Sequence, residues 1–498
     1  MYCARREFSD RGVLAGAQYM TPTGRDSRSD HQFLWIRGDS AMGESAVSVE
    51  PQQRLDQSVH RPLGKVEVLT EAHRCLYCYD APCVAACPTH IDVPSFIRKI
   101  TTDNVVGSAR VIMEANPLGA SCARVCPTDD LCEGACVLGM DAAPIRIGDL
   151  QRYSTDWVRE RKIDLFTPGP PSGKRVAVVG GGPAGLAAAR ELARFGHEAT
   201  IYEAQEQLGG LNTYGIVPFR LPRDVALWEA EQVKKLGVVA HTGVLVGRDV
   251  PIEDLVRNFD AVVLAFGMGG VPPLQIPGEE LQGVWDALDF ISRVKSGQSV
   301  GDLGDRVVVV GAGNTAIDAA TCSKRLNVDN VAIYYRRTAN EMTAYPFEYD
   351  FAKQEGVEFR WLCAPVRILG DGKRVRAVEF VKTRLEVSDY SKRPSPVPVS
   401  GTEFTVEVDA VIRATGQSRL TSLLDALRIA HDDGVVRVDP QMRTNRSGVF
   451  AAGDCSFRRG VGDAMVVEAA AQGKIAAAAV HRHLTADESE QRRGASHG

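Results

Sequence analysis

The sequence predicts an α/β protein in which a small α-helical domain precedes two β-α-β units. Three observations support this prediction. Eight of the 12 cysteines fall between Cys75 and Cys136. Apolar runs followed by glycine-rich turns begin at Arg175 and again at Val307, as is typical of buried parallel strands. The 498 residues are too many for one ordinary core, so we expect roughly two to four domains.

Composition and charge exclude several classes of protein. A hydrophobic content of 44% and a charged content of 24% are typical of globular proteins. A net charge of −5 gives no electrostatic reason to expect nucleic acid or an anionic membrane as partner. The sequence has no apolar run of about 18 residues, and no apolar stretch follows Arg5 and Arg6 to form a secretion signal. We therefore expect a cytoplasmic protein with no nucleic-acid or membrane partner.

The first glycine-rich turn has the pattern G-x-G-x-x-G and lies between a buried strand and a helix. Gly180 allows the tight turn, Gly182 lets the backbone approach a pyrophosphate, and Gly185 permits close packing of helix on strand. Glu203 ends the next strand about 20 residues on, where a ribose 2′-hydroxyl would bind. A tight strand–helix turn without a ligand is the alternative, but strand, helix and acid are all in place.

Two later features indicate FAD. Gly209 and Gly210 offer another close approach of backbone. The apolar run Val449–Ala452 is followed by Gly453 and Asp454, and in flavoprotein reductases with two such turns this Gly-Asp element reaches the flavin. A helix N-cap is the alternative role of Asp454. The candidate FAD-binding residues are Gly180, Gly182, Pro183, Ala184, Gly185, Glu203, Gly209, Gly210, Leu211 and Asp454.

The second turn repeats the pattern with alanine in the third glycine position, which helix packing tolerates. Its strand ends in Arg336 and Arg337 rather than an acid, which favours the 2′-phosphate of NADPH over NADH, although a solvated strand end is the alternative. Hydride transfer between nicotinamide and flavin needs positioning rather than an acid or base, so no catalytic side chain is predicted. The turn residues expected at the nicotinamide cofactor are Ala312, Gly313, Asn314 and Thr315.

The cysteines form two groups, and in a long cytoplasmic chain such groups indicate metal ligation rather than disulfides. Two Cys-Pro steps and short spacings resemble ferredoxin-type [4Fe–4S] ligation. Zinc is the main alternative, but zinc sites usually pair two C-x-x-C units, and the second group contains none. Thiols with a purely structural role are the remaining alternative. The groups are Cys75, Cys78, Cys83 and Cys87, then Cys122, Cys126, Cys132 and Cys136.

Together the motifs predict an N-terminal α-helical iron–sulfur domain followed by two Rossmann-like dinucleotide-binding domains, with the NAD(P) domain inserted in the FAD domain. A flavin between nicotinamide and iron–sulfur clusters would convert paired electrons into single ones. The expected ranges are a mobile tail over 1–60, a helical domain with two clusters over 61–165, the FAD domain over 166–300 and 405–490, and the NAD(P) domain over 301–404.

From about residue 65 to 485 the chain resembles the electron-input part of dihydropyrimidine dehydrogenases, including separate bacterial PreT-like subunits. The wider superfamily includes the glutamate synthase small subunit, which is the alternative. The resemblance implies that one cluster binds to Cys75, Cys78, Cys83 and Cys136. It implies that the other binds to Cys87, Cys126, Cys132 and Gln151, although spacing alone favours Cys122 over Gln151. The matching strings are Cys75–Cys78, Ala81–Cys83, Cys87–Asp92, Cys122–Thr128, Pro144–Gly148, Phe219–Pro222 and Ala414–Gln417.

The family pattern also implies further site residues and a partner. It places Arg220 at the flavin and Ala414, Thr415 and Gly416 among the cofactor contacts, whereas Thr343 stands where the family has another NADP-side arginine. In that family pyrimidine is reduced by an FMN-bearing barrel of roughly 250 residues. Only a short tail follows the last predicted helix, so we expect a PreA-like barrel subunit as partner in a hetero-oligomer.

Overall fold

A computed structural model of the chain describes residues 50–388, 391–457 and 464–495. Two short 3-10 helices, Val137–Met140 and Ala339–Glu341, accompany the elements that follow. The α-helices in these ranges are α1 (Pro51–Asp56), α2 (Lys65–Ala72), α3 (Pro82–Ala85), α4 (Val93–Thr101), α5 (Val105–Ala115), α6 (Gly119–Val125), α7 (Ile147–Glu160), α8 (Pro183–Arg194), α9 (Leu211–Tyr214), α10 (Arg223–Lys234), α11 (Ile252–Asn258), α12 (Ala287–Lys295), α13 (Asn314–Arg325), α14 (Pro346–Gln354), α15 (Ser422–Leu427) and α16 (Val466–Ala495). The strands are β1 (Arg175–Val179), β2 (Glu198–Glu203), β3 (Val239–Thr242), β4 (Ala261–Leu264), β5 (Val284–Asp286), β6 (Arg306–Val310), β7 (Asn330–Tyr335), β8 (Glu358–Trp361), β9 (Cys363–Gly370), β10 (Val375–Ser388), β11 (Ser391–Pro398), β12 (Phe404–Glu407), β13 (Ala410–Arg413), β14 (His431–Asp432), β15 (Val435–Val436) and β16 (Val449–Ala451).

Helices α2 to α7 form the predicted helical domain. Asp92 caps α4 by accepting a hydrogen bond from Ser95 N at 3.0 Å, and Asn104 caps α5 through Gly107 N at 2.9 Å, as short polar side chains commonly do. The buried side chains of α4 and α5 belong to one apolar cluster that continues into β1 and α8. The helical domain therefore shares an apolar core with its neighbour.

The first parallel sheet has the strand order β16-β4-β1-β2-β3. Its central strand β1 pairs with β2 and β4, and residues 176–179 of β1 are buried. Helix α16 returns from the far end of the chain to pack on α8. Gly473 makes this contact close, because a Cβ there would lie 2.2 Å from the carbonyl oxygen of Ala184.

The second parallel sheet has the order β5-β13-β6-β7-β8 and is inserted in the chain between β4 and β16 of the first, as predicted. The predicted limits of 301 and 404 leave out two of its strands. Strand β5 begins at Val284, and β13 ends at Arg413 and pairs with both β5 and β6. These strands have three and four residues, too short for their pattern to be assigned to either domain.

An antiparallel sheet of β9 to β12 lies in the chain between β8 and β13 of the second parallel sheet. The tail predicted over residues 1–60 needs one correction. Residues 1–49 lie outside the described ranges, but Pro51–Asp56 form α1, whose Leu55 is buried in the core of the second parallel sheet. Among the helices described, none has the length and apolar character needed to cross a membrane.

Candidate functional site

The turn between β1 and α8 places its three glycines under different constraints. Gly180 has φ +106°, and a Cβ there would lie 2.5 Å from the carbonyl oxygen of Ala265. A Cβ on Gly185 would lie 1.9 Å from the carbonyl oxygen of Gly180. On Gly182 the nearest atom to a Cβ is the Cα of Gly210, at 3.8 Å. The protein itself therefore has room for a side chain at 182, and a glycine there leaves space for a ligand.

Glu203 lies at the end of β2 and is held against this turn. Its Oε2 accepts a hydrogen bond from Gly181 N at 2.7 Å, and its Oε1 accepts one from Gln205 N at 2.8 Å. Gly209 N donates to Gly181 O at 2.7 Å, so the second pair of glycines lies against the first turn. Each carboxylate oxygen can accept more than one hydrogen bond, which leaves Glu203 able to bind a ribose hydroxyl.

Asp454 reaches the same edge of the sheet from β16. A Cβ on Gly453, which has φ +81°, would lie 2.8 Å from the Cβ of Ala184 at the start of α8. Burial raises the pKa of Asp454, and Arg419 opposes this rise. The predicted FAD residues thus come together around the first turn of α8, where backbone N–H groups favour an anion such as a pyrophosphate. This cradle fits FAD.

The second glycine turn, between β6 and α13, has the same form. Gly311 has φ +135°, and a Cβ there would lie 2.2 Å from the carbonyl oxygen of Ala414. Ala414, Thr415 and Gly416 therefore follow β13 at the edge where this turn opens. A Cβ on Gly313 would lie 3.2 Å from the hydroxyl oxygen of Thr343, so Thr343 also lies at the turn.

The arginines after β7 differ in their surroundings. The side chain of Arg336 is exposed, whereas Arg337 Nε donates a hydrogen bond to Pro394 O at 3.0 Å. Sequence reasoning missed Arg393, whose Nη2 donates to the hydroxyl oxygen of Tyr335 at 2.5 Å. It comes from β11 of the antiparallel sheet, more than 50 residues along the chain, and no local pattern links it to this edge. The cationic edge suits a 2′-phosphate.

Four of the cysteines line one apolar cavity in the helical domain. The cavity is lined by Cys75, Cys78, Cys83 and Cys136 together with apolar side chains such as Ile97. Burial raises the pKa of Cys83 to about 11, so this thiol keeps its proton at neutral pH unless a cation stabilises the thiolate. The convergence matches the ligand set implied by the family resemblance, and the donor set fits an iron–sulfur cluster.

The other cysteines gather beside α6. A hydrogen bond with Cys122, then burial and the nearby thiols Cys132 and Cys87, raise the pKa of Cys126. Gln151 on α7 is buried, and its Nε2 donates to Gly119 O at 2.7 Å. The structure thus brings together Cys87, Cys126 and Cys132, which both alternatives for the second cluster have in common. Cys122 and Gln151 both remain candidates for the fourth ligand. In the residues described, no three His, Cys, Asp or Glu side chains are placed to hold a single metal ion; a [4Fe–4S] cluster differs in binding each ligand to a separate iron.

Arg220, predicted at the flavin, bridges the two parallel-sheet units. Its Nη1 lies 3.0 Å from Asp318 Oδ1 on α13, and its Nη2 lies 2.5 Å from Glu348 Oε1 on α14. Burial raises the pKa of Glu348 to about 7. Sequence reasoning missed both carboxylates, although an acid within the buried run Ile317–Ala320 of α13 is a signal that could have identified Asp318.

Lys295 is a second buried charge at this junction. Its Nζ donates hydrogen bonds to the carbonyl oxygens of Asn212 and Ile216, each at 2.6 Å. These residues follow Gly209 and Gly210, so α12 holds the segment beside the first turn. Burial lowers the pKa of Lys295 to about 7.

We predict a pH-dependent stability for this lysine. In the unfolded chain its pKa is about 10.4, so between pH 7 and pH 10 the unfolded state binds more protons and stability rises with pH. Relative to Lys295→Met, the wild type should therefore gain thermal stability from pH 7 to pH 9. The control is Lys353→Met, which removes an exposed lysine and should show no such trend. Melting temperatures of both pairs test this, and a constant difference for Lys295→Met would contradict it.

Two protein-family models match the chain. The first, described as dihydropyrimidine dehydrogenase domain II with a 4Fe–4S cluster, matches residues 52–163. The second, pyridine nucleotide–disulphide oxidoreductase, matches residues 174–473. Among solved structures, FprA of Mycobacterium tuberculosis in complex with NADPH aligns with a TM-score of 0.52 at 19% identity, over 65% of this chain and 86% of that one, which shows a common fold.

Curated relatives extend over most of the chain. The NAD-dependent dihydropyrimidine dehydrogenase subunit PreT of Escherichia coli is 34% identical over 87% of this chain and 98% of its own length. The glutamate synthase small chain of Halomonas elongata is 32% identical over 86% and 93%. The NADP(+)-dependent formate dehydrogenase subunit beta of Moorella thermoacetica is 35% identical over 81% of this chain, which spans 60% of that relative. The chain belongs to the pyridine nucleotide–disulphide oxidoreductase family, as an NAD(P)H-dependent flavin and iron–sulfur oxidoreductase subunit.

Proposed function

We propose that the chain is the NAD(P)H-oxidising subunit of a cytoplasmic dihydropyrimidine dehydrogenase. It would pass electrons from NADPH through FAD and two [4Fe–4S] clusters to an FMN-containing PreA-like subunit that reduces uracil or thymine. The observation that carries the electron-transfer role is the presence of two nucleotide cradles and two groups of cysteines within one chain. The similarity to PreT over nearly that protein's whole length supports the choice of partner and a hetero-oligomer.

The chain's own residues would bind and orient the cofactors. Glu203 and the first glycine turn would hold FAD, together with Asp454. The second turn and Arg336 would hold NADPH, preferred over NADH because of the exposed guanidinium. The bound cofactors supply hydride transfer and one-electron transfer. Arg220 and its two carboxylates would keep the two cradles in a fixed orientation, and the packed core would exclude water.

A second candidate is the small subunit of a glutamate synthase, which would pass electrons to an amidotransferase. It is supported by 32% identity to such a chain from Halomonas elongata over 93% of that chain, a similarity close to that of PreT. The two functions differ in the partner and share every step within this chain.

Anaerobic reduction of the purified protein tests the proposed function. NADPH should bleach the flavin faster than NADH and should then reduce the clusters, while the chain alone should not reduce uracil. Addition of an FMN-containing barrel subunit of the dehydrogenase type should start uracil reduction. Glutamate formation with a glutamate synthase large chain would instead favour the second candidate. Uracil reduction by the chain alone would contradict both.

A pair of glycine variants tests the FAD cradle. Gly182→Ala places a methyl group where the protein has room but a pyrophosphate would lie, so the protein should fold and lose its flavin. Gly185→Ala forces a Cβ against Gly180 and should destabilise the fold by about 1–3 kcal/mol or more. Flavin content and circular dichroism distinguish the two effects. Full flavin occupancy in Gly182→Ala would exclude pyrophosphate binding at this turn.

A second pair of variants identifies the fourth ligand of the second cluster. If Gln151 is that ligand, Gln151→Ala should lose up to about half of the iron, which is one of two four-iron clusters. Cys122→Ala should then keep the full iron content and an unchanged EPR spectrum. Iron and sulfide analysis under anaerobic conditions, with EPR of the reduced protein, provides the measurement. The reverse result would assign Cys122 as the ligand.

A further inference from the structure

Glu229 is a fully buried carboxylate that connects the helical domain to the first parallel-sheet unit. It lies on α10, with 0% of its surface exposed. Its Oε1 accepts hydrogen bonds from Ala120 N at 2.7 Å and from Ser121 N at 3.0 Å. Its Oε2 accepts a hydrogen bond from the hydroxyl of Ser121. All three donors belong to the first turn of α6, in the other domain.

These hydrogen bonds replace a cap that α6 does not have locally. Leu118 precedes the helix and makes no side-chain cap. Gly119 N donates locally to Asn116 O at 3.1 Å, so the N–H groups of Ala120 and Ser121 are the ones that need acceptors from elsewhere. A carboxylate at this end also interacts favourably with the helix dipole. Burying a carboxylate is costly, and an apolar contact would hold the two helices together without one. A buried acid here therefore indicates that the position of α6 is specified as well as stabilised.

Both ends of helix α6 are connected to proposed ligands of the second cluster. Cys126 follows its last residue, and the carbonyl oxygen of Gly119 at its start accepts the hydrogen bond from Gln151. Glu229 thus accepts a hydrogen bond from Ala120 N, in the same peptide group as the Gly119 carbonyl that accepts the hydrogen bond from Gln151. A shift of α6 would displace Cys126 relative to the flavin unit.

Further contacts lie near this carboxylate, one within the helical domain and others between the two domains. Arg124 on α6 pairs with Asp156 on α7 at 2.6 Å, and Arg159 on α7 pairs with Asp224 on α10 at 2.6 Å. Ala120, Leu221 and Val225 form a small buried cluster beside these contacts. Of the two ion pairs, Arg159–Asp224 is the one that crosses between the domains, and its Asp224 is exposed, whereas the hydrogen bonds of Glu229 to α6 are buried.

We propose that Glu229 is a positioning residue that fixes α6, and with it the second cluster, at the distance from the flavin required for electron transfer. The inference rests on the proposed function, in which electrons pass from flavin to cluster. One hydride from NADPH supplies two electrons and one proton. The electrons would leave the flavin singly, one for each oxidised cluster, and the proton would be released to solvent.

Stopped-flow reduction of the anaerobic holoprotein by NADPH tests this role. In Glu229→Ala the flavin should be reduced at the wild-type rate, while reduction of the clusters should be slower by about 10- to 100-fold, the usual effect of losing an outer partner of a metal site. Glu229→Gln retains an acceptor for the backbone N–H groups and should restore part of the rate. Glu231→Ala, at an exposed position of the same helix, is the matched control and should behave as the wild type.

Iron content and the EPR spectrum separate positioning from simple stability. A slowed cluster step in a Glu229 variant with full iron supports the proposal. Cluster reduction at the wild-type rate in Glu229→Ala overturns it. If Glu229→Ala loses its iron, the rate of cluster reduction in Glu229→Gln decides instead: a rate below that of the wild type supports the proposal, and the wild-type rate overturns it. Loss of iron from Glu229→Gln as well also overturns the positioning role. Failure of NADPH to reduce the clusters of the wild type would instead contradict the proposed function.

Discussion

The close approach of two adjacent parallel strands where each of them ends is the constraint on which both nucleotide cradles depend. At Gly180 a single added carbon would lie 2.5 Å from the backbone of Ala265, and at Gly311 it would lie 2.2 Å from that of Ala414. Because no side chain fits, each helix begins directly at the carboxyl edge of its sheet with its free N–H groups facing outward. Glu203 follows from the adjacent strand β2, and Asp454 from β16 two strands away, so both proposed FAD residues reach the edge at which this turn lies.

Features with a local cause could be predicted from the sequence. A glycine turn between a buried strand and a helix follows from sterics within a few residues. The acid at the end of the next strand is brought to this turn by the pairing of two adjacent parallel strands. The insertion of one unit in the other follows from the order of the motifs. Grouping Cys136 with Cys75 across about 60 residues came only from the family resemblance, and the structure now places both in one cavity.

Buried charges could not be predicted, because their partners are far apart in the chain. Lys295, Glu348 and Glu229 are residue types normally found at the surface, and each is buried against a different segment. Glu229 contacts residues more than 100 positions away, a distance over which periodicity carries no information. The short strand β5 and helix α1 were missed for a related reason, since each gains its place from the core of the second unit rather than from its own pattern.

The position of α16 has a consequence for the order in which the molecule is made. Strand β16 completes a sheet whose first strand begins at residue 175, and α16 then covers one helix of that unit. On the ribosome the inserted unit is a continuous segment that emerges whole, so it can fold while its host still lacks a strand and a helix. Until α16 packs on α8, with Gly473 against Ala184, the face of α8 that α16 buries remains exposed to solvent. The host unit is thus the part of the nascent chain whose core is completed last.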